Sequence, residues 1–155
     1  MDSDLTLDFI IIVILIIANG IFSMTELAIV NAKKRRLEEM AESGNERAKK
    51  AFELAENPNE MFSTIQIGIT LVGILTGLYS GATFSAPLAD ILVKAFPSIA
   101  PYEASISSFL IVSIITYLSL VIGELVPKRL AINNPEAIAV VVSKPIYWLS
   151  QALKP

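Results

Sequence analysis

The chain has 155 residues, of which 54% are hydrophobic and only 17% charged, and its net charge is −3. A soluble domain usually contains about 45–50% apolar and about 25% charged residues, so this composition indicates an integral membrane protein. The negative net charge argues against a nucleic-acid-binding protein, which needs a clustered basic surface. The absence of Cys and His excludes thiolate catalysis, zinc–sulfur sites and the commonest transition-metal ligand.

Three apolar segments are long enough to cross a bilayer, which takes about 20 residues. They cover about 9–30, 61–79 and 106–126. We therefore predict an all-α membrane protein with three transmembrane helices in the lipid bilayer of the cell membrane. Eleven of the twelve Lys and Arg residues follow the first or the third span, and only Lys94 lies between the second and third. Because basic loops stay in the cytoplasm, the N-terminus is predicted outside and the C-terminus inside.

The segment after the first span carries helix start and stop signals. Residues 33–56 predict a cytoplasmic helical hairpin, since Gly44 and Asn45 interrupt the helical pattern and Pro58 ends it. The hairpin is rich in charge and has an apolar side. The apolar side is formed by Leu37, Met40, Ala41, Ala48, Ala51, Phe52 and Ala55.

Two further connecting segments carry signals of their structure. Residues 80–104 predict an outer loop, in which the apolar stretch 88–96 is too short to span and lies at the interface or re-enters. Asn134 followed by Pro135 predicts a helix start, and the helix extends over about 134–150. We interpret this helix as a juxtamembrane amphipathic helix on the inner face, with a fourth span as the alternative.

Two carboxylates, Glu26 and Glu124, lie inside the predicted spans. An acid at a helix centre costs about 2.5–3.5 kcal/mol on insertion scales, so such residues usually face a partner or a water-filled cavity. The plain alternative is that each acid reaches the inner headgroups or pairs with Lys128 or Arg129. The functional interpretation is a cation site in the cytoplasmic half of the membrane.

Polar and small residues form a stripe at helical spacing along each predicted span. The stripes are Asn19, Ser23 and Glu26 in the first span, Ser63, Gln66, Thr70, Gly73 and Gly77 in the second, and Ser113, Tyr117 and Glu124 in the third. Their convergence on one polar cavity is the functional prediction. Close helix packing through small residues is the alternative, although it does not account for a carboxylate.

Pro127 lies at the inner end of the third span. It has no N–H to bond the carbonyl of Gly123, four residues earlier, which predicts a broken helix with a free carbonyl beside Glu124. Oxygen donors alone suit a hard cation such as Mg²⁺, Ca²⁺, Na⁺ or Mn²⁺, or an organic cation. No nucleophile–base pair is evident, so no enzyme is predicted.

Four runs of the sequence resemble the transmembrane domain of the CorC/cyclin M (CNNM) family. They are ANGIFSMTELAIV (18–30), RLEEMAESGNERAKKAFELAENP (36–58), STIQIGITLVGIL (63–75) and GELVPKRLAINNPEAIA (123–139). The resemblance implies a homodimer, with cytoplasmic cystathionine-β-synthase (CBS) domains following Pro155. It also implies export of Mg²⁺ in exchange for Na⁺ through an oxygen-lined site, with no organic cofactor in this part of the chain.

The resemblance also implies ion ligands. Ser23 matches the Ser of an F-S-x-x-E motif, and Glu124 matches the acid of a G-E-L-x-P-K motif. Where many magnesium-type members have a G-N-N-L-V-N run, this chain has GITLVG at 68–73, which leaves Thr70 as the candidate. The candidate metal ligands are thus Ser23, Glu124, Gly123 and Thr70, and the further cation-site candidates are Asn19, Glu26, Gln66, Gly73, Tyr117 and Pro127.

The departure in the second span leaves two alternatives open. The run ATFSAP at 82–87, with the F-S-M-T-E run, also resembles superfamily members linked to polyamine export. Putrescine, cadaverine or spermidine would use the carboxylates and the aromatic face of Tyr117. The other alternative is a membrane anchor and regulatory module that transports nothing.

Overall fold

The computed structural model describes residues 2–153, with side chains from Leu5 to Leu153. Within that range the chain is helical and forms no strand. The helices are α1 (Asp2–Asn31), α2 (Lys34–Glu42), α3 (Glu46–Glu56), α4 (Pro58–Ala95), α5 (Glu103–Leu120), α6 (Val126–Asn133) and α7 (Pro135–Ala152). A 3₁₀ segment, Pro97–Tyr102, precedes α5, and a π turn, Val121–Leu125, joins α5 to α6.

Three helical segments of the described chain are long and apolar enough to cross a membrane. They are Leu5–Asn31, Pro58–Ala95 and Pro97–Asn133. Large apolar side chains stand exposed along them, such as Phe109 at 72%, as expected of helices that face lipid. The all-α fold with three spans is therefore confirmed, and the chain is a multi-pass membrane protein. Helix α7 is not among the candidate spans, which argues against the fourth-span alternative.

The second span is longer than its apolar core suggested. Residues 80–95, expected in an outer loop, continue α4 as regular helix through Pro87 to Ala95. At about 1.5 Å per residue the helix is about 57 Å long, well beyond the about 30 Å of a bilayer core. Helix α4 packs mainly against α1 and α5, so the prediction of a loop is wrong because these neighbours support the helix past its proline.

The two helices of the hairpin and helix α7 form where the sequence predicts them. Gly44 has φ +98°, a left-handed conformation that glycine adopts without strain. Asn45 caps α3, since its Oδ1 accepts hydrogen bonds from the N–H groups of Arg47 and Ala48, both at 3.1 Å. Helix α7 begins at Pro135 in the first position, as the sequence indicated.

Helices α2, α3 and α7 pack around the ends of α1 and α4, and we call this unit the base. Its core is made mainly of alanine and aliphatic side chains, all under 9% exposed: Ala28, Ile29, Ala32, Leu37, Ala51, Leu54, Ala55, Met61, Ile65, Ala131, Ala139 and Ile146. Small side chains let the short helices approach closely, so a compact base is built with few large residues. Ala28 of α1 and Ala131 of α6 belong to this core, so the base packs directly against both helices.

Candidate cation site

Pro127 widens the third span instead of breaking it. The helix passes from α5 into the π turn, where the N–H of Val126 bonds the carbonyl of Val121, five residues back. One wider turn accommodates the missing proline N–H, so the prediction of a broken helix is wrong. The carbonyl of Gly123 accepts a hydrogen bond from Nδ2 of Asn19, at 3.1 Å, and is thus engaged by a side chain of α1.

Helix α1 crosses the π turn at close range through two glycines. A Cβ on Gly123 would lie 3.1 Å from the carbonyl oxygen of Ile16 and 3.2 Å from Nδ2 of Asn19. A Cβ on Gly20 would lie 3.0 Å from Cγ of Pro127. Both glycines therefore serve close backbone approach, and α1 is continuous at Gly20 rather than loosened there. We call this crossing the junction.

Two polar side chains of α1 are buried at the junction with unpaired atoms. Asn19 is 6% exposed and Ser23 is fully buried, and neither Asn19 Oδ1 nor Ser23 Oγ has a hydrogen-bond partner among the described residues. Leaving a buried polar atom unpaired costs about 1–3 kcal/mol. Thr25 and Thr76 avoid this cost because each bonds a carbonyl of its own helix, at 2.6 Å and 2.7 Å. The two unpaired oxygens are therefore free to accept a ligand.

The two acids in the spans meet through one lysine. The ammonium of Lys128 lies 2.8 Å from Oε1 of Glu124 and 3.7 Å from Oε2 of Glu26. Glu26 lies on the same stripe of α1 as Asn19 and Ser23, so this stripe runs along the π turn and α6. Each of the three charged side chains is about one-third exposed, which places them at the edge of the junction.

A cavity of about 210 Å³ lies between the three spans beside the junction. Its lining comes from all three: Asn19 of α1, Ile69, Gly73, Thr76 and Gly77 of α4, and Ile115, Thr116, Ser119, Leu120 and Glu124 of the third span. The prediction that the spans converge on a polar cavity is therefore correct for Asn19, Gly73, Gly77 and Glu124, whereas Ser23 and Glu26 do not line it. Thr76, Thr116 and Ser119 line the cavity as well, although no stripe included them.

Three predicted residues lie elsewhere. Gln66 and Thr70 are exposed and line a shallow cleft on the outer side of α4 with Ile67, Leu71 and Ile74. Tyr117 is 67% exposed and does not line the cavity. Within one chain, the structure does not bring these residues to the junction. This applies to Thr70, predicted as a metal ligand, and to Gln66 and Tyr117, predicted as further candidates.

The π turn explains why the stripe of the third span was misplaced. Counting back from Glu124 at α-helical spacing gives Tyr117 and Ser113. A π turn holds one extra residue, so it shifts the phase of the helix by about one position. The cavity accordingly receives Thr116 and Ser119 instead. The sequence signal for this shift was Pro127, which was interpreted as a break.

The chemistry of the junction is that of an oxygen site with limited negative charge. No group of three or more acidic, His or Cys side chains within the described residues could hold a metal ion. A cation here would therefore depend on Glu124, with Glu26 at the edge, together with the amide oxygen of Asn19 and the hydroxyl of Ser23. Such neutral and carboxylate oxygens are the usual ligands of hard cations.

Comparison with known proteins shows the family of the chain. The family of the cyclin M transmembrane N-terminal domain matches residues 10–155. The chain belongs to the cyclin M family. Its junction, with the G-E-L-V-P-K run in the π turn and α6, lies wholly within the matched region.

Several curated relatives of this cyclin M domain are similar over most of the chain. The UPF0053 protein sll0260 of Synechocystis sp. is 49% identical over 99% of this chain and 34% of its own length. The polyamine export proteins of Haemophilus influenzae and Escherichia coli K12 are 31% and 32% identical, each over 88% of this chain, and over 34% and 30% of their own lengths. The chain spans about a third of these relatives.

Proposed function

We propose that this chain is the transmembrane domain of a cation exporter in the cell membrane, and not an enzyme. The observation that carries the proposal is the pair of buried, unpaired oxygens of Asn19 and Ser23 on α1, with Asn19 lining the same cavity as Glu124. A buried oxygen without a donor is stabilised when a cation supplies the missing partner. The cavity between the three spans would hold that cation within the membrane.

Mg²⁺ is the first candidate for the transported ion, in exchange for Na⁺. Amide, hydroxyl and carboxylate oxygens favour Mg²⁺, Ca²⁺ or Na⁺ over softer metals. Mg²⁺ also keeps several of its waters and needs few protein ligands. Asn19 and Glu124 line a cavity of about 210 Å³, and this volume is compatible with a partly hydrated ion. In the full-length protein, CBS domains after Pro155 are proposed to regulate this step.

Ion-dependent stabilisation of the purified chain tests the proposal. Thermal unfolding in detergent is followed in Mg²⁺, Na⁺ and choline at equal ionic strength. A ligand at a hundred times its Kd stabilises by about 2.7 kcal/mol, so the melting temperature rises. Glu124→Gln should abolish the rise and also stop Mg²⁺ flux in liposomes. Glu103→Gln, an exposed acid in the first turn of α5, is the matched control. Unchanged stabilisation and flux in Glu124→Gln would refute the proposal.

Polyamine export is the second candidate, because the junction already holds an ammonium. The Nζ of Lys128 contacts both Glu124 and Glu26, and the end of a polyamine is the same chemical group. The relatives from Haemophilus influenzae and Escherichia coli carry the name polyamine export protein. Calorimetric titration of Mg²⁺ and of spermidine or cadaverine into one preparation separates the two. Heat from the polyamine alone would favour this candidate over Mg²⁺.

A homodimer is part of the proposal, and the exposed polar residues of α4 support it. Gln66 and Thr70 would face lipid in a monomer, which is costly for polar side chains unless another helix covers them. The chain has no Cys, so a single introduced Cys reports on proximity between copies. Thr70→Cys is expected to form a disulfide-linked dimer on mild oxidation, whereas Ile14→Cys, on the exposed side of α1, is not.

A further inference from the structure

We propose that the ammonium of Lys128 is a tethered cation that competes with the transported ion for Glu26 and Glu124, and thereby sets the charge preference of the site. The inference rests on the proposed cation site. The contacts that carry it are the 2.8 Å approach to Glu124 and the 3.7 Å approach to Glu26. One lysine side chain thus engages both span carboxylates at once.

Charge balance gives the competition its direction. Two carboxylates and one ammonium leave one negative charge at the edge of the junction. A monovalent ion neutralises that charge while the lysine stays in place. A divalent ion would leave an excess positive charge beside Lys128, so its binding requires the ammonium to withdraw. Monovalent ions therefore share the site with Lys128, and divalent ions replace it.

The side chain has a place to withdraw to. Lys128 also lines a cleft of about 430 Å³ on the other side of α6, with Leu125, Val126, Arg129 and Ile132. A lysine packs its methylene stem along apolar side chains while its ammonium remains in water or among headgroups. The side chain is 27% exposed in the present arrangement, so it lies at an accessible edge of the site.

Arg129 provides the internal control. It is the next residue on α6, carries the same charge and is exposed, and it forms no ion pair with any residue that the structure describes. Removing either basic residue changes the net charge of the chain equally. Only removal of Lys128 frees Glu26 and Glu124.

The test uses the Cys-free sequence to remove and restore the ammonium. A nearby opposite charge changes the affinity of a carboxylate for a cation by about tenfold or more. Lys128→Cys should therefore bind Mg²⁺ about tenfold more tightly by calorimetry, with a smaller gain for Na⁺. Modification with a methanethiosulfonate ethylammonium reagent should return the Mg²⁺ affinity toward that of the unmodified chain. The neutral methyl reagent should not, and Arg129→Cys should not respond to either.

The outcomes separate the inference from the proposed function. If Glu124→Gln abolishes Mg²⁺ binding but Lys128→Cys binds no more tightly than the unmodified chain, the tethered-cation inference is overturned and the cation site stands. If neither the unmodified chain nor any Lys128 variant binds Mg²⁺, Na⁺ or spermidine, both fail. Should Lys128→Cys fold poorly, Lys128→Met and Lys128→Gln repeat the measurement. Weaker Mg²⁺ binding in those variants would assign Lys128 a merely structural role.

Discussion

The base and the junction handle buried polar groups in opposite ways. In the base, Asn45 caps α3, and the Ser143 hydroxyl donates to the carbonyl of Arg47 at 2.8 Å. At the junction, Asn19 and Ser23 keep buried oxygens that have no partner among the described residues. A region selected for stability satisfies such atoms, because each unpaired one costs free energy. The junction keeps its unpaired oxygens in spite of that cost. This difference distinguishes the junction, as a binding region, from the base that supports it.

The largest expected effect comes from the core of the base. Leu37 of α2 is fully buried, so Leu37→Ala should lower the free energy of unfolding by about 2–5 kcal/mol through lost contacts and a cavity. Leu130→Ala, at a position that is 53% exposed, is the control and should change it little. Both are measured by thermal unfolding in detergent. The melting temperature of Leu37→Ala should still rise when Mg²⁺ is added. Loss of that rise would mean that the base and the junction are not independent.

The second effect concerns the close crossing at the junction. Gly123→Ala places a methyl group against the Ile16 carbonyl and Asn19, so α1 must move away. We expect a loss of about 1–3 kcal/mol in stability, typical of overpacking, together with loss of cation-dependent stabilisation. Gly81→Ala is the matched control, because its Cβ would meet only Val112 at 3.9 Å. In helix α4 that change should be neutral or stabilising. Equal effects at both glycines would contradict the close crossing.

The sequence predicted the base better than the junction, for a physical reason. Hairpin and helix boundaries follow from local rules, and Gly44, Asn45 and Pro135 lie where those rules place them. Glu124 and Ser23 stay predictions as ion ligands, the first from its cost in a membrane and both from family resemblance. The phase of the third span was not predictable by α-helical periodicity, because a π turn accommodates Pro127 in place of a break in the helix. The helical extension past Pro87 depends on the neighbouring helices α1 and α5.

A pair of identical substitutions should give opposite signs in the two regions. Ser143→Ala removes a hydrogen bond from the base and should lower stability by about 1 kcal/mol. Ser23→Ala removes a buried hydroxyl that has no partner among the described residues, so stability without cation should stay level or rise by up to about 1 kcal/mol. The same variant should weaken Mg²⁺ binding. A loss of stability at Ser23 equal to that at Ser143 would mean that its hydroxyl is satisfied in the protein.

The smallest effect is a pH dependence confined to the base. Glu136 begins α7, where its own backbone N–H, and then that of Lys33 at 3.4 Å with the nearby charge of Arg36, hold the pKa of its carboxyl below the ordinary 4.5. A folded-state pKa below the unfolded one gives stability that is complete above about pH 4.5 and is lost as the pH falls through the folded pKa.

Glu136→Gln should therefore cost about 0.5 kcal/mol or less at pH 7, since the group lies near the surface. The difference from the unmodified chain, followed by thermal unfolding in detergent, should shrink toward zero as the pH is lowered through the folded-state pKa of Glu136. Glu42→Gln, an exposed acid at the end of α2, removes the same charge without the helix N-terminus and should show a smaller difference at pH 7. Since Glu136 lies outside the junction, cation-dependent stabilisation at pH 7 should be the same in both variants. A weaker cation response in Glu136→Gln alone would show that the start of α7 acts on the site as well as on the base.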